Sequence, residues 1–280
     1  MLLTASGVDR VRAAFQGGRS DRVNEAAISG VTLGAAFELA CTRAYWLREG
    51  REDIPFGTGA LAQLPHVADA VAALTSRTAT PVASFAAPTC EVAPIPPSLG
   101  DDCVAASLFQ QRFSRSLASC GFPSLLARAL TKALFEMADN VLQHSSVQGD
   151  GTGIWGYHVE PKWMSFAVAD IGRGVLESLR ANERHTGLAT SEAALEAAVR
   201  NKASRRAGGL PGLGFDQVHR ALASRNGVLR FRSGDATLSL DGRSGQFRAT
   251  KESSSYLPGF QVVVTGGIQQ NQGELAVSLT

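Results

Sequence analysis

The sequence predicts an α+β sandwich, with helices on one face of a mixed, mostly antiparallel sheet, preceded by a small α/β module. Three features predict it: two amphipathic helical patterns, a later run of strand patterns, and a cluster of prolines ahead of both. Helices are predicted over Val104–Ser119 and 124–145, where apolar residues recur at three- and four-residue steps. Helices that precede a set of strands favour an antiparallel sheet with one helical face.

The strand patterns begin soon after the second helix. A hairpin is predicted from 154–159 and 163–170, which flank the turn residues Glu160-Pro161-Lys162. A further helix is predicted at 215–224. It is followed by four predicted strands, at 228–232, 237–240, 246–250 and 261–265.

A proline cluster suggests how the chain is divided. Five prolines lie between residues 78 and 100, and this density disfavours regular elements. We therefore predict a boundary near residue 98, with a small module over 1–97 and the sandwich over 98–280. In the first module the predicted elements are a strand at 23–28, helices at 33–48 and 61–75, and a strand at 82–85. By analogy alone, this module would be STAS-like.

Composition excludes several classes of protein. The net charge of +2 is too small to predict electrostatic capture by nucleic acid or by an acidic membrane. The apolar stretch 31–47 contains Glu38 and Arg43, which argues against a membrane span. The four cysteines are scattered, as expected for reduced thiols, and no signal peptide is visible. We expect a cytoplasmic protein.

The second predicted helix carries three polar residues four positions apart. Glu136, Asn140 and His144 therefore share one helical face beside the apolar stripe. An asparagine amide oxygen is a suitable ligand for Mg²⁺, and a carboxylate one turn earlier can orient or deprotonate an attacking group. The alternative is an ordinary solvated helix face. For His144, a phosphate contact and a plain exposed or capping histidine are equally compatible.

A second motif follows the predicted hairpin. Asp170 ends a strand and precedes Gly172 and Gly174. An ionised carboxylate only accepts hydrogen bonds, so it can take one from an exocyclic amine such as that of adenine. Glycines at alternate positions let the backbone turn sharply and approach a flat ring. The alternative is a common turn after a strand.

A third motif is rich in glycine and precedes the helix predicted at 215–224. Its candidate phosphate contacts are Gly209, Gly212, Leu213 and Gly214, since backbone N–H groups at a helix N-terminus attract anions. The alternative is a generic flexible linker. No Gly-Lys dipeptide occurs, which excludes a Walker A loop.

Together the three motifs resemble the nucleotide site of the GHKL ATPases, which include gyrase, sensor histidine kinases and bacterial anti-sigma kinases. The resemblance spans about 103–267 and implies a Bergerat sandwich that binds ATP and Mg²⁺. It implies that Asn140 holds Mg²⁺, that Glu136 is the general base, and that Asp170 recognises adenine in a pocket shaped by Gly172 and Gly174. The glycine-rich run corresponds to the family's phosphate loop.

The resemblance also implies a nucleotide lid between the second and third motifs. Lys202, Arg205 and Arg206 would reach the β- and γ-phosphates when the lid closes. A solvated charge run is the equal alternative. The chain departs from the family at Phe260, where many members have a threonine whose hydroxyl helps to hold the adenine.

The function expected from the resemblance is that of an ATP- and Mg²⁺-binding regulatory protein. It would transfer phosphate to a partner protein, as an anti-sigma-like serine kinase does, or hydrolyse ATP in bacterial signalling. The alternative is a non-catalytic, ATP-gated protein-interaction module; a DNA-acting ATPase ranks last. The expected partners are ATP and a regulator or phosphoacceptor protein. A homodimer is also allowed, whereas nucleic acid and membrane are not expected.

Overall fold

The computed structural model of the protein describes residues 2–16, 30–51, 70, 74, 89–100, 102–145, 153–200, 227–241, 248–271 and 274–278. The helices are α1 (Ala5–Gln16), α2 (Leu33–Arg48), α3 (Val104–Ser119), α4 (Ser124–His144), α5 (Gly174–Arg180) and α6 (Ser191–Arg200), with a 3-10 turn at Glu183–His185. The strands are β1 (Leu2–Leu3), β2 (Gly30–Val31), β3 (Cys90–Pro94), β4 (Gly153–Glu160), β5 (Trp163–Asp170), β6 (Val228–Asp241), β7 (Arg248–Asn271) and β8 (Glu274–Ser278).

The main sheet has the strand order β3-β4-β5-β7-β6, and β8 pairs with the far end of β7. Every pairing in it is antiparallel, while β1 and β2 form a separate parallel pair. The predicted α+β class and antiparallel sheet are therefore confirmed. The hairpin β4–β5 turns where it was predicted, with Lys162 in the left-handed region at φ 67°.

The later strands are longer than predicted. The strands expected at 228–232 and 237–240 are one strand, β6, with a register shift at Gly234 (φ +61°). Those expected at 246–250 and 261–265 correspond to β7, which runs alongside both β5 and β6. The elements predicted at 23–28, 82–85 and 215–224 lie outside the described residues.

One face of the sheet is covered by α3 and α4. Trp155 on β4 stacks on Phe109 of α3, with ring centroids 4.2 Å apart and planes 8° apart. Leu130 of α4 and Phe166 of β5 belong to the same buried cluster. Offset stacking and dense apolar contact hold the helix pair onto the sheet.

The other face is covered by α2, so helices lie on both faces rather than on one as predicted. Phe37 and Cys41 of α2 pack with Ile154, Ala167 and Ala169 of the central strands. The reason is visible in β5, where every residue after the first is buried. A strand that is apolar on both sides needs a cover on each face.

Two elements from before residue 98 thus contribute to the main sandwich. Helix α2 packs on the sheet, and β3 pairs with β4 from Cys90 opposite His158 to Pro94 opposite Ile154. The proline cluster does not coincide with a break in packing at these two elements. The division into 1–97 and 98–280 remains a prediction.

A buried ionic cluster ties α1 and α2 to β6. Glu38 lies 2.8 Å from Arg12, 3.0 Å from Arg232 and 3.3 Å from Arg230. Burial alone would raise the pKa of Glu38, but the three guanidinium charges lower it to about 2. Arg230 and Arg232, both on β6, thus pair with a buried carboxylate, and Arg232 is itself buried.

In the described part of the chain, none of the helices combines the length and the apolar character that crossing a membrane requires.

Candidate functional site

Helix α4 presents the first motif. Its buried face is the stripe that includes Leu130, Leu134 and Met137, which leaves Glu136 and Asn140 on a partly exposed edge. His144 in the last turn is also partly exposed.

Glu136 has one oxygen engaged and one not. Its Oε1 lies 3.5 Å from Nζ of Lys132, one turn earlier, and the side chain is 28% exposed. Its Oε2 is buried and has no hydrogen-bond partner among the described residues. A buried carboxylate oxygen without a donor is costly, so this atom is suited to accept a hydrogen bond from a bound group.

Asp170 lies at the end of β5 and is only 2% exposed. Its Oδ1 accepts a hydrogen bond of 2.6 Å from the backbone N–H of Gly172. Burial raises the pKa of Asp170 to about 7, against the opposing effect of backbone hydrogen bonds from Gly172 and Phe260. The carboxyl group therefore changes protonation state near neutral pH.

The loop after Asp170 rests on the end of α4. The backbone N–H of Arg173 donates to the carbonyl oxygen of Ser145 at 3.1 Å. A Cβ at Gly172 would lie 2.0 Å from the same oxygen, so only glycine allows this approach. The first and second motifs, far apart in sequence, are thus joined in the fold.

Strand β7 closes the other side of Asp170. Gly259 has φ +87°, and a Cβ there would lie 2.1 Å from the carbonyl oxygen of Asp170. Sequence reasoning did not assign Gly259 a role, although the dipeptide Pro258-Gly259 is a turn signal. This glycine lets β7 approach the end of β5 without a side chain between them.

Ser233 is a second residue that the sequence did not single out, and no local signal marks it. Its hydroxyl donates to the carbonyl of Gly259 at 2.8 Å and accepts from the N–H of Val175 at 2.9 Å. It is buried, and it links the start of α5 to β7 beside Gly174, whose φ is +75°. Gly174 is thus placed where the chain turns from the Asp170 loop into α5.

Phe260 contributes through its backbone. Its N–H is one of the two backbone groups that bond to Asp170. Its ring stacks on Phe231, with centroids 6.3 Å apart, and packs against the main core. The side chain is therefore occupied in packing, while the backbone takes part in the site.

The third motif and the basic residues assigned to the lid are the remaining predicted site residues. Gly209, Gly212, Leu213 and Gly214 lie outside the described residues, as do the three basic residues assigned to the lid, Lys202, Arg205 and Arg206. The part of the predicted lid that is described forms α5, the 3-10 turn and α6.

The described residues fit ATP and Mg²⁺ in their chemistry. Asn140 offers an amide oxygen on the same helical edge as the unsatisfied Oε2 of Glu136, the kind of oxygen donor that Mg²⁺ takes. Asp170 is a buried acceptor whose pKa is raised by burial in spite of two backbone hydrogen bonds, so a further donor such as an amine would favour its ionised form.

Helix α2 reaches the same loop from the opposite face of the sheet, since Nη1 of Arg48 donates to the carbonyl of Ile171 at 2.9 Å.

Compared with known proteins, the chain matches no protein-family model, and no curated protein matches it.

Proposed function

We propose that the protein is an ATP- and Mg²⁺-binding regulatory protein of the GHKL type, with the Bergerat sandwich as its nucleotide-binding unit. The observation that carries the proposal is the contact between the Asp170 loop and the end of α4. The Arg173–Ser145 hydrogen bond and the close approach of Gly172 bring the loop after Asp170 against the end of the helix that carries Glu136 and Asn140, which supports a shared site.

In the proposed site each residue has a defined task. Asp170 accepts a hydrogen bond from the adenine amine, and its ionised form, which carries no proton of its own, is the stronger acceptor. Asn140 holds Mg²⁺ through its amide oxygen, and bound Mg²⁺ would neutralise charge on the phosphates. Glu136 takes a proton from the attacking hydroxyl of a partner protein or from water, using the oxygen that has no donor.

A second candidate function is a non-catalytic module in which ATP controls a protein interaction. One observation favours it: Oε1 of Glu136 lies 3.5 Å from Nζ of Lys132, so one oxygen of the carboxylate is already engaged within its own helix. In that case nucleotide would shift the conformation of the site without being consumed. Both candidates involve a protein partner and allow a homodimer, and both are expected to act in the cytoplasm.

The test of nucleotide binding is calorimetric titration with a non-hydrolysable ATP analogue and Mg²⁺. Binding should be strong enough to measure in the wild type and lost in Asp170→Asn. The matched control is Asp102→Asn, because Asp102 is exposed and precedes α3. If the folded wild type does not bind the analogue, or if Asp170→Asn binds it as well as the wild type, the proposal is wrong.

A further inference from the structure

A charged groove lies between α3 and α4, on the outer side of the helix pair. Its lining includes Arg115 from α3 and Arg128, Lys132 and Glu136 from α4, and its volume is about 680 Å³. That volume is in the range of pockets that hold whole ligands and exceeds what a single inorganic anion occupies. Three cations face one carboxylate, so the lining attracts an acidic group.

Exposed apolar side chains stand at both ends of this groove. Val104 and Leu108 on α3 are 70% and 45% exposed, and Leu125 at the start of α4 is 70% exposed. Several large apolar side chains exposed in one region often mark a binding surface, whereas single exposed ones are ordinary. The helix pair holds three of the five exposed large apolar residues in the described part of the chain.

Helical spacing places these residues on the groove side. Val104, Leu108 and Arg115 are separated by four and seven positions, so they share one face of α3. Leu125, Arg128 and Lys132 share one face of α4 in the same way. The connection at 120–123 is short, so the two helices run antiparallel, and Leu125 stands at the opposite end from Val104 and Leu108.

We propose that this groove docks an acidic segment of a partner protein that carries an apolar residue at each end. Helix α3 ends 11 residues after Leu108, and this stretch is roughly 16 Å long at 1.5 Å per residue. The docked segment would therefore place its apolar residues about three helical turns apart, with carboxylates between them opposite Arg115 and Arg128. Its end at Leu108 would lie near Glu136, which is 11 residues from Leu125 along α4.

An acidic membrane surface shares part of this chemistry, but the arrangement favours a protein segment. The apolar residues flank the cations along the groove, instead of forming the continuous apolar face with which amphipathic helices enter a bilayer. The groove also contains a carboxylate, Glu136, which an anionic membrane surface would repel. The proposal does not depend on nucleotide binding.

The test begins with a displayed library of random 16-residue peptides selected on the wild-type protein. Enriched peptides should be acidic in the middle with apolar residues near both ends. Their affinity should fall at least ten-fold in the double variant Arg115→Glu/Arg128→Glu. The matched control is Arg10→Glu/Arg184→Glu, which reverses two other exposed charges and should bind the peptides as the wild type does.

Three outcomes would overturn the proposal: no enrichment, enriched peptides that bind the groove variant as tightly as the wild type, or preferential binding of anionic phosphatidylglycerol vesicles that the groove variant abolishes. Calorimetry with the ATP analogue separates this result from the nucleotide site. The groove variant should bind the analogue unchanged, since neither arginine belongs to the proposed nucleotide machinery.

Discussion

The carbonyl oxygen of Ser145 accepts a 3.1 Å hydrogen bond from the backbone N–H of Arg173, which fixes the loop after Asp170 to the end of α4. This single backbone contact connects a helix and a strand that carry different motifs. The contact is possible because Gly172, the residue between Asp170 and Arg173 that packs on Ser145, has no side chain. The geometry of the candidate site therefore depends on this glycine.

The first prediction is that Gly172→Ala disrupts the site. An added Cβ would meet the Ser145 carbonyl at 2.0 Å, so the loop or the helix end must move. We expect a loss of about 1–3 kcal/mol in the free energy of unfolding and at least a ten-fold loss of ATP-analogue affinity. Urea unfolding and calorimetry measure both. Gly187→Ala is the control, because a Cβ at Gly187 meets nothing within 4 Å; equal effects in the two variants would contradict the prediction.

The second prediction concerns stability against pH. The pKa of Asp170 is about 7 in the folded protein against 3.8 as the ordinary value, so the folded state binds the proton more tightly than the unfolded state. Folding stability from this group is therefore greatest below pH 4 and is lost as the pH rises from 4 towards 7. Integrated over the shift, the loss is up to about 4 kcal/mol.

Asp170→Asn removes this titration, so the stability difference between wild type and variant should change by that amount between pH 4 and pH 8. At the higher pH the variant gains stability relative to the wild type. Urea unfolding at intervals of half a pH unit measures the difference. Two curves that stay parallel across this range would show that Asp170 does not titrate as described.

The third prediction separates the two candidate functions. If Glu136 is a general base, Glu136→Ala should lower ATP turnover by about 10²–10⁴ while the analogue still binds. Asp139→Ala is the control on the same helix, because Asp139 bonds to Gln143 and not to the Glu136 edge. Turnover is measured by phosphate release. It would remain unchanged in Glu136→Ala if the carboxylate has no catalytic role. It would be absent in the wild type if the protein is a non-catalytic module.

The fourth prediction concerns the buried ionic cluster. Glu38→Gln removes the buried negative charge shared by Arg12, Arg230 and Arg232, and leaves Asp9 as a counter-ion to Arg12 and Arg232. We expect a loss of about 3–5 kcal/mol in the free energy of unfolding. Glu49→Gln, at the exposed end of the same helix, should change it by less than about 0.5 kcal/mol. A small loss in the free energy of unfolding of Glu38→Gln would mean that this carboxylate does not stabilise the buried arginines.

Much of the fold was predictable because it depends on local periodicity. Helices α2 and α3 begin and end where their apolar spacing predicts, and α4 ends one residue earlier than predicted. The β4–β5 hairpin turns at its predicted residues. The long strand β7 was predicted as two short strands, because polar and turn-forming residues in its middle hide its continuity.

The sequence by itself determined where the candidate residues lie, because helical spacing puts Glu136 and Asn140 on one edge of α4 and the strand pattern ends at Asp170. Their roles in nucleotide binding remain a prediction from the resemblance. Only the tertiary structure decided that Gly259 and Ser233 support Asp170, that α2 covers the second face of the sheet, and that Arg232 is buried against Glu38. These relationships join residues many tens of positions apart. They depend on the register between β5, β7 and β6, which no local pattern in the chain encodes.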